Sequence, residues 1–409
     1  MRKFSDKFLK YIPQFDCENR SLNLRVGLKI RRGGAWGLWV EASDFLDFFC
    51  GSRCCSFFIK EKRTESRVME PGLKAFNNVF SKKYNCLLLS ILAFFISTSC
   101  SFALNLTNTI TPDFTVAADG SGDFKTVQEA INAVPDFRKK ETIIFIKKGT
   151  YKEKLVLPAS KNMVTFVGED RDGTILTHDD YAQKKNRFGE EMGTTGSTSF
   201  YIFGEQFTAR DLTFENSAGP VGQAVAVRVD GDRAMFENCR FLGHQDTLYP
   251  HGENSRQYYK NCYIEGTTDF IFGWSTAVFE GCTIHSKSGG SYITAASTTD
   301  ETPHGFVFLN CQFTADDGVR NIYLGRPWRP HAQTVILNSQ LGGHIHPGGW
   351  HNWNKPEAEQ TAFYAEYGNT GPGAATSARV PWSHQLTEEE AKQYTMQNIL
   401  NGWTPHQHP

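Results

Sequence analysis

Neither sign of charge prevails in this 409-residue chain, where 43 basic residues face 44 acidic ones. That balance argues against a polyanion partner recruited by bulk charge, and so against nucleic acid. No G-x-S-x-G stretch occurs, so the strand–turn–helix elbow of a serine hydrolase is missing. DGSGD (119–123) is glycine-rich without the G-x-G-x-x-G spacing, and reads as a turn into KTVQEAINAV (125–134), a short capping helix. Helical periodicity is scarce after that point.

Long apolar runs are scarce too. Residues 82–103, KKYNCLLLSILAFFISTSCSFA, carry a basic flank (Lys82, Lys83), an apolar stretch (Leu87–Ile96) and a small-x-small site at Ser101-Phe102-Ala103. This is the pattern of a secretory signal. A membrane-spanning helix needs about 20 apolar residues, and the Ser/Thr/Cys-rich end falls short of that. The expectation is export to the periplasm or the cell exterior, with no stable membrane insertion once the signal is removed. Met69 stands at a natural distance upstream for a translation start. Residues 1–81 then read as a non-functional or disordered upstream extension, and 1–68 show no sustained periodicity. A small cytosolic domain ahead of an anchor is the alternative. Residues 104–409 form the working domain.

Cysteine is thin in that domain. Six of the ten lie at or before Cys100, leaving Cys239, Cys262, Cys282 and Cys311. Their steps of 23, 20 and 29 residues match no zinc pattern, so no metal is expected. They belong to a repeat: FENS (214–217), FENC (236–239), YKNC (259–262), FEGC (279–282), FLNC (308–311) and ILNS (336–339) share the form apolar-x-[Asn/Gly]-[Cys/Ser]. Self-similarity at 20–30 residues, with strand-like alternation as in Thr142–Lys147, indicates a solenoid. The predicted fold is all-β, a right-handed single-stranded parallel β-helix with a short capping helix. Asn in the repeat suits a turn with left-handed backbone. The cysteines read as packed thiols, with one disulfide between adjacent coils as the alternative.

Residues at equal offsets from the repeat mark should stack, with strands about 4.8 Å apart. Seven residues past the mark this sets Asp246 against Asp269, and six past it Gln223 against Gln245. The next positions at the larger offset, Gly289 and Gly318, carry no side chain, so the expected cluster is two carboxyls and two amides. Like charges so close resist joint ionisation, and one carboxyl should hold its proton more tightly. Neighbouring Phe270, Ile271 and Phe272 would limit hydration, and the Gln amides are neutral donors suited to a developing oxyanion. YLGRPW (323–328) supplies a cation, Arg326, between Gly and Pro, able to fork onto one carboxylate, and a flat apolar face, Trp328. His344 and His346 of GGHIHPGGWH, and His406 and His408 at the tail, read as exposed loop histidines rather than metal ligands.

GHQDTLY, IEGTTDFIFG, YLGRPW and GPVGQAVAVR resemble the four marker segments of the pectinesterases. The similarity runs from DGSGDFKTVQEAINAVP through KKGTYKEK and GWHNW to RVPWSHQLTEEEAKQYTMQNILNGW, covering 114–403. The resemblance implies hydrolysis of methyl esters on the galacturonate units of pectin by a monomer without a cofactor. It assigns Asp269 as nucleophile, Asp246 as general acid and then base, Gln223 and Gln245 as carbonyl donors, and Arg326 as the residue orienting Asp269. Trp328 would line the sugar subsite, with Tyr249, Phe272 and Ser199 as further substrate contacts. Two departures stand out: GPVG before Gln223 is a residue shorter than the plant form and lacks its basic pair, and Ser199 replaces a threonine. No inhibitor-like pro-region precedes the domain, an arrangement that looks like bacterial members. The rival readings are a polysaccharide hydrolase or lyase acting on pectin, and a silent carbohydrate-binding solenoid. Two close carboxyls also suit a retaining glycosidase, but paired amide donors fit an acyl oxyanion better.

Overall fold

The computed structural model describes residues 111–405, and the backbone of three strands at Gln14–Cys17, Arg20–Ile30 and Trp36–Ala42. Those three pair antiparallel in sequence order, a small sheet that the unpatterned sequence of 1–68 did not announce. The chain divides into compact units at 1–107 and 108–409. The signal-like segment 82–103 and the tail histidines lie outside the described residues.

The second unit opens on a short strand, Phe114–Val116, followed by helix α1, Val127–Ala133. Thr126 caps it, accepting from the Glu129 amide while the Glu129 carboxylate accepts from the Thr126 amide. The Glu153 carboxylate takes the next two free amides, of Val127 and Gln128. Val127, Ala130 and Ile131 face inward and belong to the main core, so the helix closes one end of it.

Three parallel sheets of eleven, eight and seven strands make up the unit, the central coils giving one strand to each sheet and the end coils strands to only some of them. This is the expected right-handed parallel β-helix. Among the described residues no helix is long and apolar enough to cross a membrane.

The repeat mark has a physical meaning at each position. Its apolar residues stack ring on ring: Phe236 on Tyr259 at 4.9 Å, Tyr259 on Phe279 at 4.7 Å, Phe279 on Phe308 at 4.6 Å. Its Asn residues, Asn238, Asn261, Asn310 and Asn338, all have φ between 51° and 54°, and Gly281 stands in the same column at 63°. Its cysteines are buried free thiols. Three of them donate to the carbonyl of the ring residue one coil earlier: Cys262 to Phe236 at 3.5 Å, Cys282 to Tyr259 at 3.3 Å and Cys311 to Phe279 at 3.2 Å. Packed thiols, not a disulfide, describe them.

One copy of the mark was misplaced. Ala209 and Arg210 pair with Phe236 and Glu237, so ARDL (209–212), not FENS, is the first copy. Phe214 of FENS lies in the next sheet, opposite Phe241. The partner step is 27 residues at Thr213↔Arg240 but 22 at Gln223↔Gln245, because the first coil carries a longer loop through 217–222. The expected glutamine pair therefore holds although its reference point does not.

Candidate active site

The site is built on the outer face of the seven-stranded sheet. Alternation sends Leu248 and Ile271 into the core and turns Tyr249 and Phe272 outward, where Val225, Ala295, Trp328 and Trp353 join them. Gln223 and Gln245 are bridge partners on adjacent coils. Asp246 donates its amide to the Thr268 carbonyl at 3.1 Å, and Leu248 pairs with Ile271. The same register sets Asp246 beside Asp269, at a strand spacing of about 4.8 Å.

Both aspartates have left-handed backbone, with φ of 66° at Asp246 and 51° at Asp269. Such geometry is uncommon outside glycine, and Asp and Asn tolerate it best. Immediately after Asp269 the ladder breaks. Thr268 pairs with Tyr292 but Ile271 with Thr294, a one-residue irregularity of the kind that re-aims a side chain. Gly289 and Gly318 therefore do not continue the column as expected. A turn in which Gly290 donates to the Lys287 carbonyl lengthens that coil, and Tyr292 and then Tyr323 occupy the neighbouring rungs.

Arg326 grips Asp269 with both arms of its guanidinium, Nε to Oδ1 at 2.9 Å and an Nη to Oδ2 at 2.6 Å. The guanidinium also lies against two rings, 3.9 Å from the Tyr292 centroid and 3.7 Å from that of Trp353. Its backbone is held from both sides: Arg326 donates to the Thr294 carbonyl, and the Gly325 carbonyl accepts from His351. Gly325 is required there, since a Cβ would stand 2.0 Å from the Thr294 hydroxyl.

This geometry separates two buried carboxyls. Burial is the largest influence on each and pushes both upward. At Asp269 the Arg326 fork pulls back, leaving it above the ordinary carboxylate value but less so. Asp246 makes no side-chain hydrogen bond to any described residue, and the charge of Asp269 adds to burial, so it is raised well above that value. Of the two, Asp246 therefore holds its proton more tightly, and Asp269 ionises more readily.

Gln223 and Gln245 are partly open, and the Gln223 Oε1 accepts from Gln183 Nε2 at 3.1 Å. Trp328 is half-buried, 6.3 Å from Tyr249 and 5.9 Å from Phe272, which stack on each other at 4.0 Å. With 5 % and 3 % exposure, Tyr249 and Phe272 are the floor beneath Trp328 rather than open contacts. Ser199 is closed off from solvent: it is 2 % exposed, its amide donates to the Val225 carbonyl, and its hydroxyl has no partner among the described residues. His344 is no exposed loop histidine either, since burial (5 % exposed) drives its imidazole down to about 4.

Trp353, Tyr292 and Gln183 were not singled out from the sequence. GWHNW was visible as a segment, but nothing in its spacing links Trp353 to Arg326. Among the described residues, His178, Asp179 and Asp180 form one grouping with metal-ligand atoms close together. Lys152, Lys154 and Lys184 already supply its positive charge, at 2.6–3.4 Å.

The chain was compared with known proteins. The pectinesterase family profile matches residues 113–403. Pectinesterase 31 of Arabidopsis thaliana is 44% identical over 292 residues, which is 70% of this chain and 91% of that protein. The pectinesterase/pectinesterase inhibitor U1 of Solanum lycopersicum is 40% identical, and the match spans only 52% of its length. Among solved structures, pectin methylesterase from carrot superposes with a TM-score of 0.67 at 39% identity, covering 72% of this chain and 95% of that one. PemA from Erwinia chrysanthemi does so at 0.64 and 31% identity, covering 72% and 98%. These curated relatives are plant proteins, so the bacterial-type organisation draws no support from them. With paired carboxyls, amide donors and an arginine fork on a β-helix of this kind, the chain belongs to the pectinesterase family.

Proposed function

We propose that Asp269 is the nucleophile and Asp246 the general acid and base with which this pectinesterase removes methyl esters from pectin. The observation that carries the assignment is the asymmetric pair: one buried carboxyl forked to Arg326, its neighbour without a cation of its own.

An ionised Asp269 oxygen attacks the ester carbonyl carbon of a methylated galacturonate, and the carbonyl π pair moves to oxygen. The Gln223 and Gln245 amides hold that oxyanion. As the carbon–methoxy bond breaks, Asp246 gives its proton to the departing methanol, leaving an anhydride between substrate and Asp269. Water then attacks the anhydride carbonyl while the Asp246 carboxylate takes its proton. The bond to Asp269 breaks, and both aspartates return to their starting states. Trp328, half-buried on the Tyr249–Phe272 floor with the Arg329 guanidinium 5.1 Å from its ring centroid, would meet a sugar ring. Nothing in these steps calls for a metal, and glycosidic cleavage would leave the amide donors without a role.

Incubation with highly methylated pectin tests the reading. Methanol release without chain shortening or new ultraviolet absorbance is expected. Full methanol release by the Asp269→Asn protein would sink the assignment. Export through residues 82–103, supported by the composition of that segment, belongs to the same proposal, as does a monomeric state. The secreted protein should begin at Leu104, which N-terminal sequencing checks.

A further inference from the structure

We infer that Gln183 is a positioning residue, which fixes the amide of Gln223 so that its –NH₂ end faces the oxyanion; this rests on the reading of Gln223 as an oxyanion donor. A side-chain amide presents an acceptor at one end and two donors at the other. Only the donor end helps a developing oxyanion, and the oxygen end would repel it. Gln183 Nε2 donates to Gln223 Oε1 at 3.1 Å, which commits the oxygen and leaves the –NH₂ as the end on offer.

The brace comes from a segment tied to the same coil. The Ala182 amide donates to the Gln223 carbonyl at 2.9 Å, so Gln223 is held through both backbone and side chain. Gly193 donates back to the Ala182 carbonyl and Met192 to that of Lys184, closing 182–193 into a loop. Inside it, Asn186 Oδ1 accepts from the Phe188 and Glu190 amides, and Lys184 pairs with Asp180 at 2.8 Å. Gly222, just before Gln223, has a φ of 106°, and a Cβ there would stand 2.9 Å from Gln183 Oε1. The glycine thus lets Gln183 lie across the backbone it braces. Gln183 is exposed, and its bond to Gln223 gains strength once bound substrate covers it and excludes water.

The test is a double-mutant cycle of kcat, KM and thermal midpoint on methylated pectin, using Gln183→Ala, Gln223→Ala and their combination, with Gln183→Glu alongside. Gln223→Ala should lose roughly 10²–10³-fold in kcat. Gln183→Ala should lose about tenfold in kcat, with KM and the thermal midpoint unmoved, and nothing further when added to Gln223→Ala. Gln183→Glu should lose more than Gln183→Ala, because a carboxylate only accepts and draws the Gln223 –NH₂ toward itself. Unchanged kcat in Gln183→Ala, or a loss that persists in the Gln223→Ala background, overturns the inference while leaving Gln223 as a donor. Unchanged kcat in Gln223→Ala removes the donor reading itself, and the brace with it.

Discussion

The eleven-stranded sheet and the seven-stranded sheet are made by the same coils, yet they obey the repeat to different degrees. On the first, ring, Asn and thiol columns run from Phe236 to Phe308 and from Asn238 to Asn338 without a slip. On the second, pairing thins to an isolated bridge at Gln223 and Gln245, then slips by a residue after Asp269. Regular stacking satisfies backbone and core at once, and that is all a wall requires. Chemistry requires that neighbours differ: one carboxyl forked to a cation, the next without. The irregular sheet supplies the difference, and the regular one holds it in place.

Substitutions on the two sheets should therefore fail in opposite ways. Asp269→Asn should lose at least about 10⁴-fold in kcat while the thermal midpoint holds, measured by methanol release and calorimetry. Phe279→Ala, inside the ring column, should lose about 3–5 kcal/mol of stability and leave the kcat of the folded fraction near normal, read by denaturant titration. An equal loss of kcat and stability in either protein would erase the contrast. Arg326→Lys keeps the charge but not the fork. It should lose about 10²-fold in kcat and move the acid limb of kcat/KM to higher pH, since Asp269 then loses part of the pull that offsets burial.

The smallest effect concerns stability. In the folded protein Asp246 titrates well above its unfolded value, so the native state binds the extra proton between the two. Stability then falls as pH rises from the ordinary carboxylate range through the raised value, and the penalty is complete above it. Asp246→Asn removes the penalty. Its thermal midpoint should exceed that of the parent at neutral pH, with the gap closing below the ordinary carboxylate range, although its kcat drops about 10²–10⁴-fold. A gap independent of pH would assign the gain to something other than ionisation.

The sequence announced most of the solenoid because Phe, Asn and Cys return together and each does one job per coil. The aspartate pair was legible for the same reason: Asp246 and Asp269 sit on the one step, 23 residues, that is kept from the mark through to Leu248↔Ile271. Where a coil carries a longer loop, counting failed. FENS was taken for a mark because it shares the repeat's form, and only the longer loop 217–222 kept the glutamine pair in register; Gly289 was taken for a rung before the turn at Lys287–Gly290 was known. Ser199 looked like a substrate contact through resemblance, and only burial shows it closed off. Tyr292, Trp353 and Gln183 reach the site from non-repeating segments, so no periodicity marks them.

The left-handed backbone at Asp246 and Asp269 limits which controls can be interpreted. Alanine at either position would suffer a conformational penalty of about 1–2 kcal/mol before any chemistry is counted. An alanine scan would thus overstate what the carboxyls contribute and misreport poorly folded protein as catalytically inactive. Asparagine matches both the shape and the turn, so it alone isolates the proton and the charge. The same constraint weighs on any redesign of the pair: glutamate, though it keeps the carboxyl, would carry a longer arm on a backbone that favours short polar side chains.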